Sequence, residues 1–263
     1  MELNSKSLAR GFRALLSFLT TLPVGSAPLS EASREFHLVS VVGLIEGCII
    51  GLALYVLLHV VKDGALLASL YIAIHIALTR GLHLDGFADY SDAIGSLRRG
   101  AEAVKVMKDP RKGAFAVILL FLNLTLSYSS ISSLTQVLDP LTLLFIAILI
   151  YVLCAESMYI LSALGAPEPY AGLAKEFVES AKRARNVVKN IVITVLTLLL
   201  PIMFNVHLML IAFTTLATVL ACLVILHDVS KRLGFVNGDA LGFCYETVRI
   251  VNLVIASVLC RYL

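Results

Sequence analysis

A chain of 263 residues of which 59% are hydrophobic and only 15% charged lies outside the soluble globular class, where about a quarter of residues carry charge. The formal charge of +3 says little by itself, and nothing in it calls for a nucleic-acid partner. The five cysteines (Cys48, Cys154, Cys222, Cys244 and Cys260) are odd in number, dispersed through apolar runs and without a C-x-x-C pair. That pattern argues against a disulfide framework and against a zinc site.

In chain order, residues 7–22 place Leu8, Phe12, Leu15, Leu16 and Leu19 at helical spacing with Arg10 and Arg13 among them, a basic amphipathic stretch suited to the membrane interface. A signal peptide is the rival reading, because Gly25-Ser26-Ala27 offers a small-residue cleavage point. The arginines inside the apolar run and Pro23 after it favour a retained segment. Apolar runs then predict spans near 38–61, 64–79, 114–131, 141–163, 190–204, 206–227 and 241–260, the second and fifth short for a crossing helix. With the N-terminus cytoplasmic, eighteen of the twenty-one Lys and Arg fall in segments on the inner side. This asymmetry predicts an all-α, polytopic helical bundle of about seven spans with interfacial helices, N-in and C-out, in the cell membrane. No repeat or linker divides it, so 1–263 reads as one membrane-embedded domain. The segment from Glu168 to Lys189 reads as a basic cytoplasmic helix, serving either lipid headgroups or an anionic substrate.

The chemistry concentrates after the second span. In Arg80-Gly81-Leu82-His83-Leu84-Asp85-Gly86-Phe87-Ala88-Asp89-Tyr90-Ser91-Asp92-Ala93, Asp85, Asp89 and Asp92 recur at i, i+4 and i+7, on one face of a helix. Taken alone, such a triplet is more often a solvated face. Between apolar segments it is costly, which makes a functional role the better default. Three neighbouring carboxylates repel unless a cation sits among them, and oxygen-only donors suit a hard ion such as Mg²⁺. The same loop carries Lys108, Asp109, Arg111 and Lys112, which either clamp a polyphosphate or only mark the cytoplasmic side. Further on, Asn237, Gly238, Asp239 and Gly242 precede Glu246 and Arg249, an i, i+3 pair free to satisfy itself. Glu46 stands alone in the first span, either protonated and hydrogen-bonded or facing the same cavity. No activated Ser or Cys adjoins these groups, so direct displacement assisted by a metal is favoured over covalent catalysis.

Four blocks in order carry a resemblance: Phe18-Leu19-Thr20-Thr21-Leu22-Pro23-Val24, then His83-Leu84-Asp85-Gly86-Phe87-Ala88-Asp89 with Asp92, then Lys108-Asp109-Pro110-Arg111-Lys112-Gly113, then Gly238-Asp239-Ala240-Leu241-Gly242 with Glu246. Together they resemble the cobalamin synthase family, adenosylcobinamide-GDP ribazoletransferases, over nearly the whole length. The chain departs from the family pattern at Ala155-Glu156, Asn237 and Arg249, which bears on substrate contacts from the fourth and last spans. The resemblance implies transfer of the adenosylcobinamide phosphate group from adenosylcobinamide-GDP to α-ribazole or its 5′-phosphate, with GMP released. It implies Mg²⁺ on Asp85, Asp89 and Asp92, with Asp92 or Asp109 as proton acceptor. It also implies substrate contacts from Arg80, His83, Lys108, Arg111, Asn237, Asp239 and Glu246. A membrane enzyme of the CDP-alcohol phosphotransferase type is the nearest alternative and a cation-coupled transporter the next. The oligomeric state, a homo-oligomer included, is left open.

Overall fold

The computed structural model describes residues 2–25, 28–170 and 172–262; Ser26 and Ala27 of the suggested cleavage point lie outside them. Among the described residues the chain is entirely helical. In order come α1 (Glu2–Leu19), α2 (Leu29–Arg34), a 3₁₀ turn (Phe36–Leu38), α3 (Val39–Val60), α4 (Gly64–Thr79) and α5 (Leu82–Gly95). They are followed by α6 (Ala101–Met107), α7 (Ala114–Val137), α8 (Pro140–Leu164), α9 (Leu173–Ala181), α10 (Ala184–Met203), α11 (Leu208–Arg232) and α12 (Gly238–Leu259). Six helices are long and apolar enough to cross a membrane, and α4 with α5 makes a seventh if the bent pair is one span. The all-helical membrane bundle expected from composition is therefore present. Exposed apolar faces such as Ile118 and Phe121 on α7, Val192 and Leu196 on α10 and Leu220 and Val224 on α11 are what acyl chains, rather than water, would cover.

Two span boundaries differ from expectation. Helix α7 runs on to Val137 rather than ending near 131, because its serines and threonines satisfy their hydroxyls on the helix itself, as Ser127 Oγ does on the Asn123 carbonyl (2.7 Å). Helix α10 starts at Ala184, not 190. Its polar first turns are amphipathic rather than loop, and Asn190 turns inward to donate to Glu156 (3.0 Å). The basic segment 168–189 is correspondingly split: α9 is only Leu173–Ala181, and Arg185 and Lys189 belong to the next helix.

Helix α8 is the buried axis of the bundle, packed by α3, α10, α11 and α12. Its closest neighbour is α3, whose Gly43, Gly47 and Gly51 form a stripe at four-residue spacing. A Cβ on Gly47 would stand 2.6 Å from the Ile148 Cα, so glycine is required for this approach. Small residues at such spacing let backbones pack where no hydrophobic effect drives association. Buried polar groups are paired across the same bundle. Arg249, fully buried, donates to Glu246 Oε2 (2.6 Å), Asn123 (2.7 Å), Ser127 (2.9 Å) and the Tyr71 hydroxyl (3.2 Å), and Glu246 also meets His75 Nε2 (2.9 Å). This network ties α12 to α4 and α7 and accounts for a charge inside an apolar run.

At the site end, Arg80 and Gly81 adopt left-handed backbone (φ 54° and 64°) and turn the chain by 93° between α4 and α5. Helix α5 then lies across the bundle. Its far end is tied to α11 by Tyr90, which donates to Asp228 (2.7 Å), and by Arg232, which donates to the Ala93 carbonyl (3.2 Å).

Candidate functional site

The site begins where α5 crosses the first turn of α12. Gly86 and Gly242 meet there: a Cβ on Gly86 would lie 3.1 Å from the Asp239 Cα, and one on Gly242 2.9 Å from the His83 carbonyl. This contact lays Asp239 against the acidic face of α5. Asn237 caps α12, accepting from Ala240 N (2.9 Å), and its amide nitrogen donates to Asp239 (3.0 Å). The cap fixes where that carboxylate stands.

The three carboxylates of α5 do different things. Asp85 and Asp89 both accept from the Lys112 ammonium, at 2.9 Å for Asp85 and in a close pair for Asp89. Partial burial works against the charge on Lys112, but the bonds to Asp89 and Asp85 outweigh it and raise its pKa. Asp92 faces the start of α7 instead, accepting from Gly113 N (2.6 Å) and Ala116 N (2.8 Å). It caps that helix from outside, satisfying donors no intrahelical carbonyl reaches. Of the expected metal ligands Asp85, Asp89 and Asp92, the first two thus share the Lys112 ammonium, while the third is engaged at the N-terminus of α7. Among the described residues no three His, Cys, Asp or Glu groups are disposed to hold a metal ion. Asp85 and Asp89 do have the chemistry for a hard cation, since they already share an ammonium.

Asp109 does not reach the carboxylate pair. It accepts from the Arg111 backbone (3.0 Å) and guanidinium (3.1 and 3.0 Å), and these hydrogen bonds hold its pKa down at about 2. A carboxylate so held is a weak proton acceptor, which counts against its expected role. Arg111 is exposed on the loop, with Nε and Nη2 of its guanidinium engaged by Asp109. Arg80 is exposed at the α4–α5 corner and away from the cavity described below. Glu246, expected to contact substrate, is fully buried and paired with Arg249 and His75, and it is not among the residues lining the cavity described below.

Beside the acidic face lies a cavity of about 440 Å³. One rim carries Asp85, Asp239, Asn237 and Lys108, and the deeper wall Phe18, Phe36, Met107, Met158 and Phe177. His83 also lines it, almost fully buried, with its ring stacked on Tyr245 (4.0 Å between centroids). Glu168 and Tyr170 complete the rim. Burial raises the pKa of Glu168, with Lys108 partly offsetting it, and the Lys108 ammonium lies over the Tyr170 ring at 5.6 Å. Sequence reasoning missed Glu168, Tyr170 and the aromatic wall. Phe18 sat in a motif without an assigned role, and Phe177 lies in a stretch that read as basic surface. Only the packing of α1 and α9 around α2 and the Phe36–Leu38 turn brings the aromatic residues together.

The chain is similar to known proteins over most of its length. Residues 11–257 match the family model described as cobalamin-5-phosphate synthase. A protein of Stutzerimonas stutzeri named adenosylcobinamide-GDP ribazoletransferase is 32% identical, covering 91% of this chain and 94% of its own. Proteins of the same name from Syntrophobacter fumaroxidans and Clostridium perfringens are 31% and 26% identical, covering 95% and 97% of this chain and 98% and 100% of theirs. No solved structure matches.

Proposed function

The chain belongs to the cobalamin-5-phosphate synthase family of membrane transferases, and on that premise we propose that it acts as an adenosylcobinamide-GDP ribazoletransferase. The reaction is a single phosphoryl displacement. A ribose hydroxyl of ribazole attacks the phosphorus that bears the cobinamide, forming a P–O bond. The bond from that phosphorus to GMP breaks, GMP leaves with the electron pair, and the hydroxyl proton passes to a protein carboxylate.

The observation that carries this reading is that Asp85, Asp239 and Lys108 line the cavity while Asp85 shares the Lys112 ammonium with Asp89 beside it. Anionic oxygens of a diphosphate entering there draw Lys112 and Lys108, while Arg111 on the adjoining loop adds an exposed positive charge. Asp239 is the proton acceptor in this reading. Asp85 and Asp89 hold Lys112, Asp92 caps α7 and Asp109 holds Arg111, whereas Asp239 accepts only from the Asn237 amide. A magnesium ion on Asp85 and Asp89, with Lys112 turned to the phosphates, would neutralise diphosphate oxygens and the charge that builds on GMP. A transport reading needs acids lining a path, but Glu246 is closed into its pair with Arg249 and Glu46 accepts from the Tyr245 hydroxyl (2.7 Å).

The test is GMP release by the purified protein in liposomes, supplied with adenosylcobinamide-GDP and α-ribazole, with and without Mg²⁺. Release that needs acceptor and metal together is the expected result. Asp239→Asn should lower kcat by about 10²–10⁴ while leaving the elution volume in detergent unchanged. Absence of release from folded protein, with release from CDP-linked donors, would move the assignment to the CDP-alcohol type.

A further inference from the structure

The transferase reading leaves open which part of which substrate enters the cavity. We propose that it is the acceptor subsite: the flat base of the ribazole nucleoside inserts among Phe18, Phe36, Phe177, Met107 and Met158, its ribose points to Asp239, and the corrin stays outside. This rests on the reading above and adds the placement of the two substrates.

Size carries the first part of the argument. At about 440 Å³ the cavity sits near the lower end of the roughly 300–1,000 Å³ range of small-ligand pockets. A nucleoside fills such a space; a corrin macrocycle with its side chains and adenosyl ligand has several times the atoms and does not enter. The cobinamide must therefore approach from the open side of the acidic face, so that its phosphate meets Lys112 from without.

Chemistry carries the second part. Phe177 stacks on Phe18 (5.6 Å between centroids) and receives Phe36 edge-on (5.0 Å), a wall of aromatic faces with two methionines beside it. Such a wall favours a flat ring whose edges carry few polar groups, as the benzimidazole of a ribazole does. The guanine of the donor has several donors and acceptors on its edges, and against Phe and Met those would be left unpaired. His83, which also lines the cavity, is stacked on Tyr245 and adds a further aromatic ring to this apolar wall. The proposal also gives α1 and α9 a purpose, since neither spans the bilayer and together they furnish Phe18 and Phe177.

The experiment uses the full chain in detergent, with steady-state kinetics in each substrate and calorimetric binding of α-ribazole without donor. Ala174, buried on α9 and lining the cavity, is replaced by Phe to fill it. The expected result for Ala174→Phe is at least a tenfold rise in KM for α-ribazole and a matching loss of its binding, with KM for adenosylcobinamide-GDP within twofold of the parent. A complementary pair guards against misfolding: a ribazole analogue with a base enlarged by one fused ring should be a poor acceptor for the parent and a better one for Phe177→Ala. A rise confined to the donor KM would place guanosine in the cavity and overturn the proposal. So would unchanged constants in folded Ala174→Phe, or a preference for the enlarged base that Phe177→Ala leaves unaltered. If the parent transfers nothing, the transferase reading fails. Binding of α-ribazole that Ala174→Phe abolishes would then still support the subsite, and binding that persists would overturn it.

Discussion

Asp92 shows how one side chain's partners decide its role. Its spacing with Asp85 and Asp89 matches a metal set, yet its oxygens take the backbone donors of Gly113 and Ala116. Asp92→Ala should therefore lower the thermal stability of the detergent-solubilised protein, by about 1 kcal/mol as for other lost caps. Asp92→Asn, which keeps one of the two accepting oxygens, should lose less stability than Asp92→Ala and retain most GMP release. Loss of release by a folded Asn variant would assign Asp92 to the metal. Glu168 makes a pH-dependent prediction. Burial raises its pKa, Lys108 offsetting part of the effect, so the folded state binds its proton more tightly than the unfolded state does. That contribution is fully present below the ordinary carboxylate pKa and is lost as pH rises through the raised value. The unfolding temperature of Glu168→Gln should accordingly gain on the parent as pH rises above about 4. A gap that stays constant with pH would show Glu168 to be solvated in the folded protein.

At the scale of elements, the site depends on how near α5 and α12 can come. The Gly242 position admits no Cβ without movement, since the His83 carbonyl would lie 2.9 Å away. Gly242→Ala should push the helices apart at a cost of about 1–3 kcal/mol. It should also reduce kcat by more than it raises either KM, because it displaces Asp239 from the acidic face rather than removing a substrate contact. Measuring unfolding and steady-state kinetics on the same preparation checks both. Retained kcat in a destabilised protein would mean that Asp239 needs no fixed distance from α5. The α3–α8 contact is as close but lies away from the cavity, so it serves the bundle's cohesion.

For the molecule as a whole, the Lys and Arg distribution predicts that the face bearing α5, α6 and α9 is cytoplasmic. A cysteine placed at Arg99, in a background lacking the partly exposed Cys48 and Cys260, should react with a membrane-impermeant maleimide only after cells are opened. One placed at Arg261 should react in intact cells. The reverse pattern would invert the topology and set the site on the outer face, where cytoplasmic nucleotide-linked donors do not reach.

Much of this protein is legible in the order of its residues. Length of apolar run, breaks at Asp63-Gly64 and Asp139-Pro140 and the charge bias predicted the helical membrane bundle. These are local or compositional properties that a bilayer reads without tertiary detail. The motif order also pointed to the family. What the linear order did not hold was partnership between distant segments. Asp239 joins Asp85 and Asp89 because two glycines let α12 cross α5, and Asp92 takes backbone donors because α7 begins beside it. Glu246 is paired with Arg249 and His75, and the aromatic wall exists only once α1 and α9 meet around α2 and the 3₁₀ turn. Periodicity reports which side chains share a face of one helix; which helix that face meets is decided by close packing in three dimensions.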